Sequence, residues 1–337
     1  MSPHPSGSSD PNDGAPPPPP RPVPSPLSGP VTVGAVVAAL EAALPPGHRG
    51  TDSGGGSGGR SAGGGGMVVG SVAVLNGPGH MGGEDWYPAA LEYWDGGGVD
   101  ATVDGMLGGF ADLSPADLAA SGNFLREVAG LPRRGGKGEG LLLGGGRGRA
   151  LECGAGIGRV TRGLLLPLGY GRVDLVEVSP RLLAAAPDHV GDPGAGRCRF
   201  LCRGLQDYDP PPEIQYDLVW VQWCVGYLTD VDCVRFLRRM RRALAPGGVV
   251  VLKDNACGCG DEFVLDREDS SVTRSERYLI ALATLAGLEV VRRRNQGDIE
   301  GEEAFPEDIF SVPMIALGRM EDDGGEQEQE QEQDGPI

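Results

Sequence analysis

Arg149-Ala-Leu-Glu-Cys153-Gly154-Ala-Gly156-Ile-Gly158 decides the fold. Its first five residues suit a short buried strand, three glycines follow at alternate positions, and a helical run continues to about residue 168. Glycines at a strand-to-helix junction let the backbone approach a bound nucleoside and leave helix N-terminal N–H groups facing it. The spacing is G-x-G-x-G, not the G-x-G-x-x-G of dinucleotide sites, which weakens the case for a pyrophosphate. A glycine turn with no ligand is the bland alternative.

From there strand-like and helix-like runs alternate, the pattern of a parallel α/β sheet. Strands are expected at 173–178, 199–204, Tyr216–Gln222 and 249–253, helices at Pro180–Val190, 231–244 and 275–286, and a closing hairpin of 288–293 with 311–318. The helix at 231–244 presents Arg235, Arg238, Arg239, Arg241 and Arg242 on an exposed face. Pro246-Gly-Gly248 then turns the chain into 249–253, a continuous apolar run fit for a central strand. Residues 86–130 read as helices packed beside the sheet.

Glu177 ends the second strand, 19 residues past Gly158. A carboxylate there accepts hydrogen bonds from both ribose hydroxyls of a nucleoside; an ordinary solvated acid is the competing interpretation. Asn255 lies just past the fifth strand, at the end where open α/β sheets bind ligands. The loop after it, Leu265-Asp266-Arg-Glu-Asp269-Ser270-Ser271, offers three acids and two hydroxyls to a cationic group. A solvated loop with a helix cap at Ser270 or Ser271 fits the same spacing.

Composition sets the flanks. The 337 residues include 58 Gly and 29 Pro, unevenly spread. Residues 1–84, dominated by Pro, Gly and Ser, bury too little apolar surface to offset their ordering entropy, so a disordered arm is expected, with a short helix within 31–44 as the exception. That run is too short for a membrane span and lacks the basic flank of a signal peptide. The ordered domain is expected at 85–320, with a Gly-rich flexible insert at 135–148 and an acidic disordered tail at 321–337. The tail carries eight acids and no base. A formal net charge of −18 speaks against a nucleic-acid phosphate backbone as partner and suits a cationic one. The seven Cys lack paired metal-ligand spacing and the four His lie far apart, so no metal site is expected; the thiols suit a reducing compartment.

Six strings then stand together: Thr102-Val-Asp-Gly-Met-Leu-Gly-Gly109, Cys153-Gly-Ala-Gly-Ile-Gly-Arg159, Gly204-Leu-Gln-Asp207, Val221-Gln-Trp223, Lys253-Asp-Asn255 and Asp269-Ser-Ser-Val272. From about Tyr87 to Arg319 the chain resembles the protein α-N-terminal methyltransferases, which recognise an X-Pro-Lys or X-Pro-Arg start. The resemblance implies an α/β fold: a seven-stranded, Rossmann-like class I methyltransferase sheet with helices on both faces and an N-terminal helical lid. It implies S-adenosylmethionine as cofactor, bound by Gly154, Arg159, Glu177, Leu205, Gln206 and Gln222, with Gly108, Gly109 and Trp94 closing over its methionine end. It implies Trp223, Leu107 and Ile309 as the slot for a second-position proline. Asn255 would hold the first residue's carbonyl, and Asp266 and Ser271 a third-position ammonium. Asp269 would lie next to the attacking amine.

Three positions depart from the family pattern. Glu177 stands where the family has Asp. Tyr227, in Gly226-Tyr-Leu-Thr-Asp230, stands where the family has its active-site His, and Phe310 where it has Tyr. The last two bear on the proton route, the number of methyls added and the substrate range. Asp269 is the candidate base, directly or through a water, with Tyr227 to orient it. Proline, lacking an N–H, leaves nothing unpaired in an apolar slot, and a third-position Lys or Arg can pair with Asp266. Two other functions share these residues: a small-molecule N-methyltransferase, and a catalytically weak partner that binds S-adenosylmethionine and activates a related enzyme. The family's expected locations are cytoplasm and nucleus, with no nucleic-acid or membrane partner.

Overall fold

A computed structural model of the chain describes residues 35–36, 38–40, 68–70, 85–131, 146–191, 196–258, 263–306 and 309–320. In chain order these give strand β1 (Val68–Gly70), helices α1 (Trp86–Asp95), α2 (Val103–Met106) and α3 (Ser114–Ala129), and strands β2 (Arg149–Cys153) and β3 (Arg172–Glu177). Helix α4 (Pro180–Val190), strands β4 (Cys198–Cys202) and β5 (Tyr216–Gln222), helix α5 (Asp230–Ala243) and strand β6 (Leu244–Lys253) follow. The chain closes with β7 (Phe263–Asp266), β8 (Ser271–Arg274), α6 (Glu276–Leu285), β9 (Leu288–Asn295) and β10 (Pro313–Arg319).

Seven strands form one sheet in the order β4-β3-β2-β5-β6-β10-β9. The first five are parallel, and β10 inserts antiparallel between β6 and β9. The apolar run of β6 shows why the sheet is covered twice. Val249 and Val251 pack with Phe124 and Leu125 of α3 on one face, whereas Val250 and Leu252 pack with Phe236, Leu237 and Leu282 of α5 and α6 on the other. Side chains alternate along a strand, so a continuous apolar stretch needs two helical layers. Thr229 caps α5 by accepting from the Asp232 N–H at 3.2 Å, and Ser275 caps α6 by accepting from the Tyr278 N–H at 3.2 Å.

Strand order reverses between β2 and β5, which places their C-terminal ends on either side of a crevice, the usual ligand position in open α/β sheets. The glycine loop leaves β2 there and Trp223 leaves β5 there.

Five local expectations change. The run after the glycines winds as a π-turn over Thr161–Leu165, with the Leu166 N–H reaching the Thr161 carbonyl at 3.0 Å; Pro167 has no N–H with which to prolong a helix. Pro246-Gly-Gly248 is an irregularity inside β6, whose ladder begins with Leu244 opposite Tyr216 and resumes with Val249 opposite Leu218. The acidic loop is the tip of an antiparallel hairpin, β7 with β8, and the helix cap falls at Ser275, not at Ser270 or Ser271. Ser270 takes φ +56° in that tip. The short helix expected within 31–44 is present at 35–36 and 38–40, with Val36 and Leu40 fully buried in the core, but the arm otherwise expected to be disordered also contributes β1, which pairs with β7. The end of the expected insert is tied down: the Gly146 N–H donates to the Gly169 carbonyl at 2.9 Å. The rest of the arm, the insert through 145 and the tail lie outside the described residues.

Candidate active site

A cavity of about 410 Å³ opens at the switch point, within the range of small-molecule sites. Its floor is the glycine loop. Gly154 and Gly156 have φ of +62° and +53°, and a Cβ on Gly154 would lie 2.5 Å from the Cys224 Cβ while one on Gly156 would lie 2.6 Å from the Met106 Sδ. Side chains larger than hydrogen are therefore excluded twice, by backbone and by space. Met106 belongs to α2, so the segment Thr102-Val-Asp-Gly-Met-Leu107 lies over the loop.

Helix α1 forms the rest of the lid, contributing Tyr87, Leu91 and Trp94 to the wall. It is pinned at both ends. The Trp86 indole donates to the Tyr227 carbonyl at 2.8 Å and the Tyr87 hydroxyl to Asp232 at 2.7 Å. At the other end Arg181 donates to the carbonyls of Trp94, Asp95 and Val99, and Asp95 accepts from Ser179 at 2.6 Å.

Charge is concentrated below the loop. Asp117 of α3, fully buried, accepts from Lys253 at 2.5 Å, Arg159 at 2.8 Å and the Gln222 amide at 2.9 Å. Burial alone would raise its pKa; the two cations hold it below the ordinary carboxylate value. Lys253 also donates to Ser121 and Gln296 at 2.9 Å, and burial lowers its pKa. The Trp220 indole donates to the Gln222 carbonyl oxygen at 2.9 Å, which fixes the amide's orientation. Two cations on one carboxylate leave this cluster with a positive charge beside the cavity. The Arg159 guanidinium also lies 5.5 Å from the Trp223 ring.

Two acids also line the cavity. Glu177 is buried and accepts from the Gly156 and Ser179 N–H groups, each at 2.8 Å; burial raises its pKa. Glu152 accepts from the Thr161 backbone and hydroxyl, and burial pushes it up to about 7. The 205–208 turn beyond them is held by Arg239, whose guanidinium donates to the carbonyls of Leu205, Gln206 and Tyr208 at 2.7–2.9 Å. Arg239 is thus a half-buried clamp rather than a member of an exposed face.

The acidic hairpin tip meets the cavity through Tyr227, which lines it. The Tyr227 hydroxyl donates to Asp269 Oδ2 at 2.9 Å, while Asp269 Oδ1 is buried and has no hydrogen-bond partner. Burial raises the Asp269 pKa, with Ser271 and Tyr227 pulling the other way. Burial and the neighbouring Asp269 drive the Tyr227 phenol well above its ordinary value, so it stays a donor. Trp94 meets the Tyr227 ring edge-on at 6.0 Å between centroids. Trp223, at φ +51°, donates its N–H to the Lys253 carbonyl at 3.0 Å and turns its ring toward Phe305, 6.4 Å away.

The family described as AdoMet dependent proline di-methyltransferase matches residues 82–318. The chain belongs to this family. It is 41% identical over 232 residues to N-terminal Xaa-Pro-Lys N-methyltransferase 1 of Danio rerio, covering 69% of this chain and 95% of that one. It is 38% identical over 238 residues to Alpha N-terminal protein methyltransferase 1 of Dictyostelium discoideum, covering 70% and 80%. Among solved structures it is similar to a SAM-dependent methyltransferase of Leishmania major, at 37% identity and a TM-score of 0.57, covering 69% of this chain and 82% of that one.

This methyltransferase therefore uses S-adenosylmethionine, and its cavity fits the molecule. The surplus positive charge around Asp117 suits an amino-acid carboxylate at Arg159, the buried Glu177 suits ribose hydroxyls, and the glycine floor leaves room for a nucleoside. Of the residues expected to bind it, Gly154, Arg159, Glu177, Leu205, Gln206, Gln222 and Trp94 all line the cavity. Gly108 and Gly109 do not: they are exposed, and Met106 takes the place expected of them. Trp223 and Tyr227 also line it. Leu107, Asn255, Asp266, Asp269, Ser271 and Ile309 lie outside its wall, half-buried. The sequence pointed to neither Asp117 nor Phe305. A signal for Asp117 exists, since Lys253 ends an apolar strand and a buried ammonium needs an anion. Among the described residues no three potential ligands gather where a metal could be held.

Proposed function

We propose that this methyltransferase modifies the free α-amino group of proteins whose mature N-terminus reads X-Pro-Lys or X-Pro-Arg. The observation that carries this is Asp269: one carboxylate oxygen is fixed by Tyr227 and the other is buried without a donor. A buried acceptor without a partner is costly, and the α-ammonium supplies the missing N–H. When bound, S-adenosylmethionine supplies a methyl on a sulfonium sulfur, an electrophile for a neutral amine.

The chain's own residues do the rest. The lid and the Arg159–Gln222 pair hold the donor and keep water out, and positioning supplies much of the acceleration. Asp269 takes the proton. An α-amine has a pKa of about 7.7–8 against about 10.4 for lysine, so a weak base is sufficient. Tyr227 stays protonated and orients Asp269 rather than competing with it. Trp223 and Phe305, 31° from parallel, offer two flat faces to a proline ring. Asp266, whose Oδ1 already accepts from the Glu268 N–H at 2.8 Å, and Ser271 stand on the hairpin for a third-position cation. The names of the curated relatives carry the same Xaa-Pro-Lys preference. The free thiols of Cys153, Cys202, Cys224 and Cys233 support a reducing compartment, cytoplasm or nucleus.

The test is a mass-spectrometric assay on two peptides, one starting Ser-Pro-Lys and the same with Gln for Pro. Product on the first alone, on the α-nitrogen, is expected. Equal product on both would remove the proline slot, and no product on either, with cofactor bound, would remove the function.

A further inference from the structure

Strand β1 lies outside the region that matches the family, which begins at residue 82. It pairs antiparallel with β7, with Val68 opposite Leu265, Val69 opposite Val264 and Gly70 opposite Phe263. On its other side β7 pairs with β8, from Phe263 opposite Arg274 to Asp266 opposite Ser271. The three strands form a small sheet of their own, with β7 in the middle.

That sheet ends in the tip that carries Asp266, Asp269 and Ser271. The hairpin has only four residue pairs of its own, and a two-stranded hairpin of that length is marginal in water. A third strand converts β7 from an edge into a centre and occupies a row of backbone groups that would otherwise be open. The hairpin's inner residues Phe263, Leu265 and Val272 are buried in the main core cluster. Its other support is local. A Cβ on Gly226 would lie 3.0 Å from the Val272 carbonyl oxygen, so β8 is seated against the turn that carries Tyr227. Misplacing the hairpin would therefore move Asp269 away from the Tyr227 hydroxyl.

We propose that β1 is a brace for the substrate hairpin, making the arm a determinant of peptide affinity but not of cofactor affinity. This rests on the function proposed above, since it takes Asp266, Asp269 and Ser271 as peptide contacts. The cofactor's cavity has no wall residue from β1, β7 or β8, which is why the two affinities separate.

The test is the full-length chain carrying Val68→Pro and Val69→Pro together. Alternate residues of a strand direct their N–H groups to opposite sides, so the pair removes an inward N–H whichever of the two faces β7. Two readouts are taken: hydrogen exchange of residues 263–274, and the kinetics of a Ser-Pro-Lys-start peptide alongside the affinity for S-adenosylhomocysteine. Faster exchange across 263–274 is expected, with a peptide KM raised on the order of tenfold and the S-adenosylhomocysteine affinity unchanged. Unchanged exchange would overturn the brace, as would faster exchange with an unchanged peptide KM. An equal loss of cofactor affinity would mean general loosening and overturn it too. If the unmodified chain methylates neither peptide, the proposed function falls, and exchange alone decides whether β1 braces the hairpin.

Discussion

Tyr227→Phe removes one atom, the hydroxyl that donates to Asp269 Oδ2 at 2.9 Å. The other carboxylate oxygen has no hydrogen-bond partner, and Ser271 and Tyr227 together favour the anion; of the two, Tyr227 is the one that lines the cavity. A hydrogen bond to a charged group contributes about 1.5–3 kcal/mol, and one pKa unit corresponds to about 1.36 kcal/mol. The bond favours the ionised form of Asp269, so its loss should raise the Asp269 pKa further, adding to the upward push of burial. Asp269 must be ionised to take the amine's proton. The energy of that bond corresponds to an acid limb of kcat/KM displaced upward by about 1–2 pH units, while the rate well above the limb stays close to that of the parent. The phenol itself is held far above its ordinary pKa and adds no limb of its own. The assay is the initial rate of α-nitrogen methylation of a Ser-Pro-Lys-start peptide, by mass spectrometry, across pH 5.5 to about 9.5. An acid limb that stays in place or moves down would refute the role of Tyr227. A rate lost equally at every pH would show the hydroxyl to be structural.

Asp269→Asn leaves only amines that arrive neutral, about one in seven at pH 7 and nearly all at pH 9; its residual rate should climb roughly sevenfold between them, and a flat residual rate would exclude Asp269 as the proton acceptor. Glu152 sits at about 7 in the folded chain against an ordinary 4.5. Its stabilising effect is present below pH 4.5 and lost as pH rises to about 7, some 3 kcal/mol in all. Glu152→Gln should flatten melting temperature against pH in that window, and an unchanged slope would show Glu152 to be ionised throughout. Asp117→Asn strands Lys253 and Arg159 without their shared carboxylate. A loss of about 3–5 kcal/mol is expected, seen as a lower melting temperature together with weaker cofactor binding; a melt unchanged in temperature would mean the cations find other anions.

The parallel strands and their helices were legible because their patterns are local. Continuous apolar residues at 249–252 announce a strand buried on both faces, and Ser179, Thr229 and Ser275 mark helix starts. The hairpin was not. Phe263-Val-Leu265 is three residues long, and its partner is polar enough at Ser271 and Thr273 to read as loop. What makes it a strand is pairing with β1, about two hundred residues away, and no local pattern encodes that. The site divides the same way. Gly154, Gly156 and the strand-end Glu177 were found by position and Gln222 through the resemblance, and these four line the cavity, whereas Gly158 does not. Gly108 and Gly109 were expected over the cofactor, yet Met106, an unremarkable apolar residue, covers the loop. Asp117 escaped because its importance lies in three partners brought from three separate elements.

Trp223 carries a further consequence. It is a bulky residue at φ +51°, a conformation that favours glycine and costs other residues on the order of 1–2 kcal/mol. Replacement by glycine or asparagine would relax the backbone, so mutation without selection would run downhill away from tryptophan at this position. Its ring nevertheless lines the cavity, beneath the Arg159 guanidinium and opposite Phe305. A lineage that had stopped using the slot would be expected to shed the aromatic early. The identity of residue 223 in descendants of this chain thus serves as a fossil record of whether the slot is still in use.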